Sequence, residues 1–99
     1  MTLHRKEYQI TLSDRINKQT VKGLVSDTFG MHKGPVNWVV THLRTGGMVT
    51  SFPKQNQARD FIHRAENAAW LVSWDTNDIS KLKGNKYKAL DIKELSMLL

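Results

Sequence analysis

With 99 residues, 39% of them hydrophobic and 24% charged, the chain has material for one folded domain and is too short for two. It contains no cysteine, which excludes disulfides, thiolate catalysis and cysteine-based zinc sites. Lys and Arg number 15 against 9 Asp and Glu, and the resulting net charge of +6 favours an anionic partner: nucleic acid, an acidic protein surface or lipid headgroups.

Met1 to Glu7 lacks the apolar run of a signal peptide, and no apolar stretch is long enough to span a membrane, so a cytoplasmic protein is expected. Lys6 to Ser13 reads as a strand, because Tyr8, Ile10 and Leu12 alternate with Glu7, Gln9 and Thr11. Asp14 to Lys18 is polar and suits a turn. Thr20 to Phe29 carries two signals. Val21, Leu24, Val25 and Thr28 have helical spacing, but β-branched residues and Gly23 oppose a helix. A second strand is expected there, with a short helix as the rival. Gly30 to Pro35 reads as a loop.

Val36 to Leu43 is the clearest strand, with Val36, Trp38 and Val40 on one face and Asn37, Val39, Thr41 and Leu43 on the other. Arg44-Thr45-Gly46-Gly47 makes a turn, since glycine adopts positive φ at no steric cost. Met48 to Phe52 returns as the partner strand. Ala58, Phe61, Ile62 and Ala65 then fall at i, i+3, i+4 and i+7, the apolar stripe of a helix over 54–69. Pro53 sits before that helix or in its first turn, where proline is tolerated. Leu71 to Trp74 reads as a short strand, and Asp75 to Asp78 as a turn or helix start. Ile79 to Lys88 is lysine-rich and shows no clear period. Asp91 and Glu94 have capping-box spacing. Ile92, Leu95, Leu98 and Leu99 follow as a short C-terminal helix whose apolar face needs cover from its own domain or a second subunit. These elements predict a single α+β domain over 1–99. It has a small antiparallel sheet of four to five strands near 6–13, 20–29, 36–43, 48–52 and 71–74, one main helix packed on it and a short C-terminal helix.

Catalytic signatures are absent from the local sequence. None of His4, His32, His42 and His63 lies in a nucleophile pattern, although an acid–base pair assembled by folding stays open. His63 and Glu66 would share a helix face, but two ligands begin a metal site without closing it, and a solvated helix surface is expected. Gly46-Gly47 lies between two strands and lacks the strand–loop–helix order of a phosphate cradle. No enzyme activity, metal or cofactor is expected.

The basic residues carry more information. Lys81, Lys83, Lys86 and Lys88 fall within one short stretch, with Tyr87 among them. If extended, Lys81 and Lys83, or Lys86 and Lys88, would point to one side, and the strip could follow a phosphate backbone while Tyr87 stacks a base. The alternative is a solvated loop. A second group, His42, Arg44, Lys54, Arg59, His63 and Arg64, lies on the hairpin and helix, with Arg44 at the hairpin tip and Asp60 and Glu66 partly neutralising that face. A third, Arg15, Lys18 and Lys22, lies near the first turn. Trp38 reads as core. Trp70, Val72 and Trp74 would line one strand face, as core or, if exposed, as a binding surface.

The run Trp38-Val39-Val40-Thr41, Thr45-Gly46, Phe52-Pro53, Ala58 and Phe61 resembles the sheet-and-helix pattern of arm-type DNA-binding domains of tyrosine recombinases, over about a third of the chain. The resemblance implies a three-stranded sheet, braced by a helix, that reads DNA. Few basic side chains fall on the strands themselves in this reading. The expected function is a small, basic, non-enzymatic binding protein that contacts nucleic acid, DNA or RNA, through phosphate contacts from Arg44, Lys54, Arg59, Arg64, Lys81, Lys83, Lys86 and Lys88. Arg44 is the candidate for base contact. The alternative is a protein–protein adaptor or inhibitor that occupies a partner's surface, with a homodimer through the C-terminal segment as a further option.

Overall fold

The computed structural model describes residues 2–12, 14, 16–67, 74–75 and 82–99, and within 82–88 the backbone alone. The alternating segments form five strands: β1 (His4–Thr11), β2 (Lys18–Val25), β3 (Phe29–Lys33), β4 (Trp38–His42) and β5 (Met48–Phe52). They pair in chain order as one antiparallel sheet, which needs only short turns between neighbours. Two helices follow, α1 (Gln55–Asn67) and α2 (Leu82–Ser96). The architecture is α+β, as the sequence pattern predicts. Among the described residues no helix is long and apolar enough to cross a membrane.

The turns have local causes. The Asp14 carboxylate accepts the backbone N–H groups of Ile16 and Asn17, both at 2.9 Å, and the Asn17 side-chain amide at 2.6 Å. These bonds, the Ile16 amide first, close the β1–β2 loop and hold the Asp14 carboxyl below its ordinary range. Between β4 and β5, Gly46 takes a φ of 72°, a left-handed conformation that glycine adopts freely.

Two expectations about the strands need correction. The stretch from Thr20 to Phe29 is not one strand: β2 ends at Val25, and Ser26 turns the chain by accepting the Phe29 N–H on its hydroxyl, at 3.1 Å. Gly30 to Lys33 is strand rather than loop. Phe29 and Met31 bury one face of β3, while Gly30 on the other is covered by the Tyr8 ring. A Cβ at Gly30 would lie 2.7 Å from Tyr8 Cζ, so this glycine serves close packing and not a turn. The true turn is Gly34 to Asn37, closed by the Gly34 N–H donating to the Asn37 carbonyl at 2.8 Å. Val36 therefore leaves the Trp38 face and is exposed.

The strand expected near 71–74 lies, except for Trp74, outside the described residues. Trp74 itself is not in a strand, and its ring is buried edge-on against Phe29, with centroids 5.0 Å apart. The C-terminal helix begins at Leu82, so Asp91 is helix interior rather than a cap. Leu, Lys and Ala are good helix formers, and they carry the helix back past the position where a cap was expected.

The core lies between the sheet and α1. Ala58, Phe61, Ile62 and Ala65, the predicted stripe, are all fully buried and meet Phe29, Met31, Val40 and Phe52. Phe61 packs on Phe52 and Phe29, with centroids 5.6 and 6.3 Å away. Helix α2 adds Ala89 and Ile92 to the same cluster. At the start of α1 the Gln57 side chain reaches back to accept the Lys54 N–H at 3.2 Å, half of a capping box. The helices are joined where the buried Ser96 hydroxyl donates to Asp60 at 3.0 Å.

The β1–β2 ribbon curls over the sheet face away from α1. Tyr8 and Val25 are buried there, apart from the main core. Thr11, at the far end of β1, donates its N–H to the Gly46 carbonyl and its hydroxyl to the Thr45 carbonyl, both at 2.8 Å. The first strand thus meets the turn between the fourth and fifth, and the right-handed twist of the sheet is carried into a partial closure.

Candidate nucleic-acid interface

The curl has a consequence between β2 and β3. Their ladder has only two pairs, Leu24↔Met31 and Val25↔Gly30. β2 comes so close at Gly23 that a Cβ there would lie 2.1 Å from the Met31 carbonyl oxygen, and beyond that point the strands part. The parting leaves an open cleft of about 470 Å³ beside the first turn of α1. Its walls carry Arg5, Lys6, Lys22 and Lys33, and Glu7 is the one carboxylate among the described lining residues.

Register explains why these residues meet. Glu7 pairs with Lys22 and Lys33 with Trp38, and directly paired residues share a sheet face. Leu24 pairs with Met31, so Lys22 and Lys33, each two residues further along, keep that same face across the parting, and Glu7, Lys22, Lys33 and Trp38 all lie on it. Lys22 and Glu7 make a loose ion pair at 3.7 Å in which both side chains are well exposed, so it is weak and screened. The Lys33 ammonium stands 5.6 Å from the centre of the Trp38 ring, a cation–π contact. Trp38 is half-buried: its ring leans on the core and presents surface to the cleft. The sequence reading placed it wholly in the core.

His32 also lines the cleft. Its Nδ1 lies 3.2 Å from the Tyr8 hydroxyl, and burial lowers its pKa, so the ring is neutral near pH 7. Burial pushes the Tyr8 phenol up to about 12, against a smaller opposing effect of the Thr41 hydroxyl.

Of the residues expected to contact phosphate, none whose side chain is described lines this cleft. Arg44 is at the β4–β5 turn as predicted, but its guanidinium is paired with the Asp75 carboxylate. Arg64 donates to Asp60 at 2.7 Å and is similarly compensated. Lys54, at the start of α1, points its ammonium at the Leu99 carbonyl, 3.5 Å away. Arg59 lines a separate hollow with Leu3, Asn56, Asp60, His63 and Leu99. Lys81 lies outside the described residues. Lys83, Lys86 and Lys88 belong to α2, so the even spacing of an extended strip does not apply, and positions two apart on a helix lie on different sides.

His42, counted with the basic group, is instead fully buried. Its Nε2 donates to the Trp74 carbonyl at 2.7 Å, and its Nδ1 accepts from the Thr45 hydroxyl at 2.9 Å. Thr45 in turn accepts the Gly47 N–H at 3.1 Å. Every polar atom in that chain is used by the neutral ring, and burial lowers the His42 pKa against the opposing pull of the Trp74 carbonyl, with Arg44 adding a smaller lowering. Glu66, expected with His63 on a solvated helix surface, instead accepts the Ser26 hydroxyl at 3.2 Å and the Thr28 N–H at 3.1 Å, tying the end of α1 to the β2–β3 turn.

The cleft was missed because its charges are far apart in the chain. Lys33 and Trp38 flank the Gly34–Asn37 turn, and reading that segment as a hairpin would have made them neighbours. The strands, described above as poor in basic residues, in fact carry Arg5, Lys6, Lys18, Lys22 and Lys33.

Fold and cleft together define a small α+β protein with a coiled antiparallel sheet and a cationic groove. Comparison with protein-family models, with curated proteins and with solved structures finds no match for this chain.

Proposed function

We propose that the chain is a non-enzymatic nucleic-acid-binding protein that engages its ligand at the β1–β2–β3 cleft. The supporting observation is the convergence of Arg5, Lys6, Lys22 and Lys33 on one concavity with a partly open indole. Phosphates match the excess of cations over the Glu7 carboxylate, and an aromatic among cations is the composition that contacts backbone and base together. In the hairpin and helix group, Arg44 and Arg64 already face carboxylates. Affinity measured over a range of salt tests the reading: log K should fall linearly with log salt, and the double substitution R5A/K33A should flatten that slope. A slope near zero in the wild type overturns it.

A second reading, an adaptor that occupies a partner protein's surface, draws on the C-terminal segment. Leu90, Leu95, Met97, Leu98 and Leu99 are all exposed. A concentration of exposed apolar side chains in one segment suits a protein contact. Light scattering over a concentration series tests self-association, and a mass that stays monomeric counts against a homodimer through this segment.

A further inference from the structure

The shape of the cleft narrows the ligand. A duplex is read by a convex element that enters a groove, or bound by a continuous positive face. Here the four cations line the walls of a concavity, and its volume of about 470 Å³ is that of a small-ligand pocket. A base pair held inside a helix cannot reach such a floor, whereas an unstacked base can.

The aromatic surface decides what sits there. Trp38 lines the cleft, and the Lys33 ammonium stands over its ring. A base stacked on an indole contributes more than an exposed cation–π contact of this type. A nucleotide entering the cleft can take the ring face with its base and return a phosphate to the displaced Lys33 ammonium, so the exchange is favourable on both counts. Lys22 stands on the next strand on the same face, and Arg5 pairs with Leu24 two residues further along, in position for the neighbouring phosphate.

We infer that the cleft takes single-stranded nucleic acid in preference to duplex, with one base stacked on Trp38 and the flanking phosphates on Lys33, Lys22 and Arg5. The inference rests on the nucleic-acid reading above and adds to it the strandedness of the ligand and the residue that selects it.

The test titrates the whole protein with a labelled oligothymidylate strand and with the same strand annealed to oligoadenylate, at several salt concentrations. The single strand should bind at least tenfold more tightly and quench tryptophan fluorescence. W38L should lose about tenfold in single-strand affinity, and the quench with it, while its salt slope stays that of the wild type. K33A should reduce the slope by about one phosphate equivalent, roughly 0.7 for a single strand. W38F keeps an aromatic platform and should retain most of the affinity, so the comparison holds even if W38L folds poorly. Equal or tighter binding of the duplex, or W38L and W38F binding the single strand alike, overturns base stacking; a persisting salt slope would then leave the phosphate reading intact. No salt-dependent binding to either strand form overturns both.

Discussion

At the scale of single residues, His42, His32 and Tyr8 set how the fold responds to pH. His42 is neutral in the fold, and its proton affinity is lowered there by burial, as is that of the half-buried His32. The unfolded chain takes up a proton near the ordinary value of 6.5 and the folded chain resists it. Stability is therefore fully present above that value and is lost as pH falls through the lowered folded values. Urea unfolding between pH 7.5 and 5 should show this decline, with a slope approaching about 1.4 kcal/mol per pH unit for each proton taken up. Removing His42 as H42Q should make the decline shallower. Tyr8 works at the other end. Its phenol moves from 10.0 up to about 12, so stability is full below pH 10 and falls between those values. Y8F should remove that alkaline loss. At Gly30, adding a methyl group would press on the Tyr8 ring. G30A should cost about 1–3 kcal/mol, and the cost should shrink when Tyr8 is also replaced by leucine, a coupling that a double-mutant cycle measures.

At the scale of elements, α1 and the paired strands were legible because their signals are local. The stripe Ala58, Phe61, Ile62, Ala65 repeats with the helical period, and the alternation in β1 repeats with the strand period, so each can be read without knowing its neighbours. β3 was not legible for the same reason reversed. Two of its five residues that matter most, Gly30 and Lys33, look like loop residues. They belong in a strand because Tyr8 covers the one and Trp38 pairs with the other, and both partners are distant in the chain or lie across a turn. Asp91 misled in another way: its spacing to Glu94 imitates a cap, but the helix formers ahead of it extend α2 backward. The joint between the helices makes its own prediction. Ser96 is fully buried and donates to Asp60, which also binds Arg64. S96A should destabilise by about 1–2 kcal/mol and loosen α2 before the sheet, read as faster hydrogen exchange in residues 89–96.

For the whole molecule, the charge of +6 matters less than its distribution. Arg44 faces Asp75 and Arg64 faces Asp60, whereas the cleft gathers four cations around Glu7, the one carboxylate among its described lining residues. Composition shows only the excess; folding decides where it is left uncompensated. The candidate site was for that reason the least readable part of the sequence, being drawn from β1, β2, β3 and β4 at once. Under the proposed function, oligothymidylate at low salt should raise the thermal midpoint by mass action, and the increase should fade as salt is added.

The two-pair ladder between β2 and β3 also divides the molecule into parts of unequal strength. The β1–β2 ribbon is tied to the rest by those pairs, by Tyr8 on Gly30 and by Thr11 at the β4–β5 turn, whereas β3 to β5 share the main core with α1. The ribbon should thus act as a foldon of its own, opening subglobally at a free energy below that of global unfolding. Native-state hydrogen exchange should resolve two groups of amides, with β1 and β2 in the less protected one. A strand of nucleic acid bridging Lys22 on one side and Lys33 on the other would fasten the two parts together, and the two exchange groups should then merge toward one.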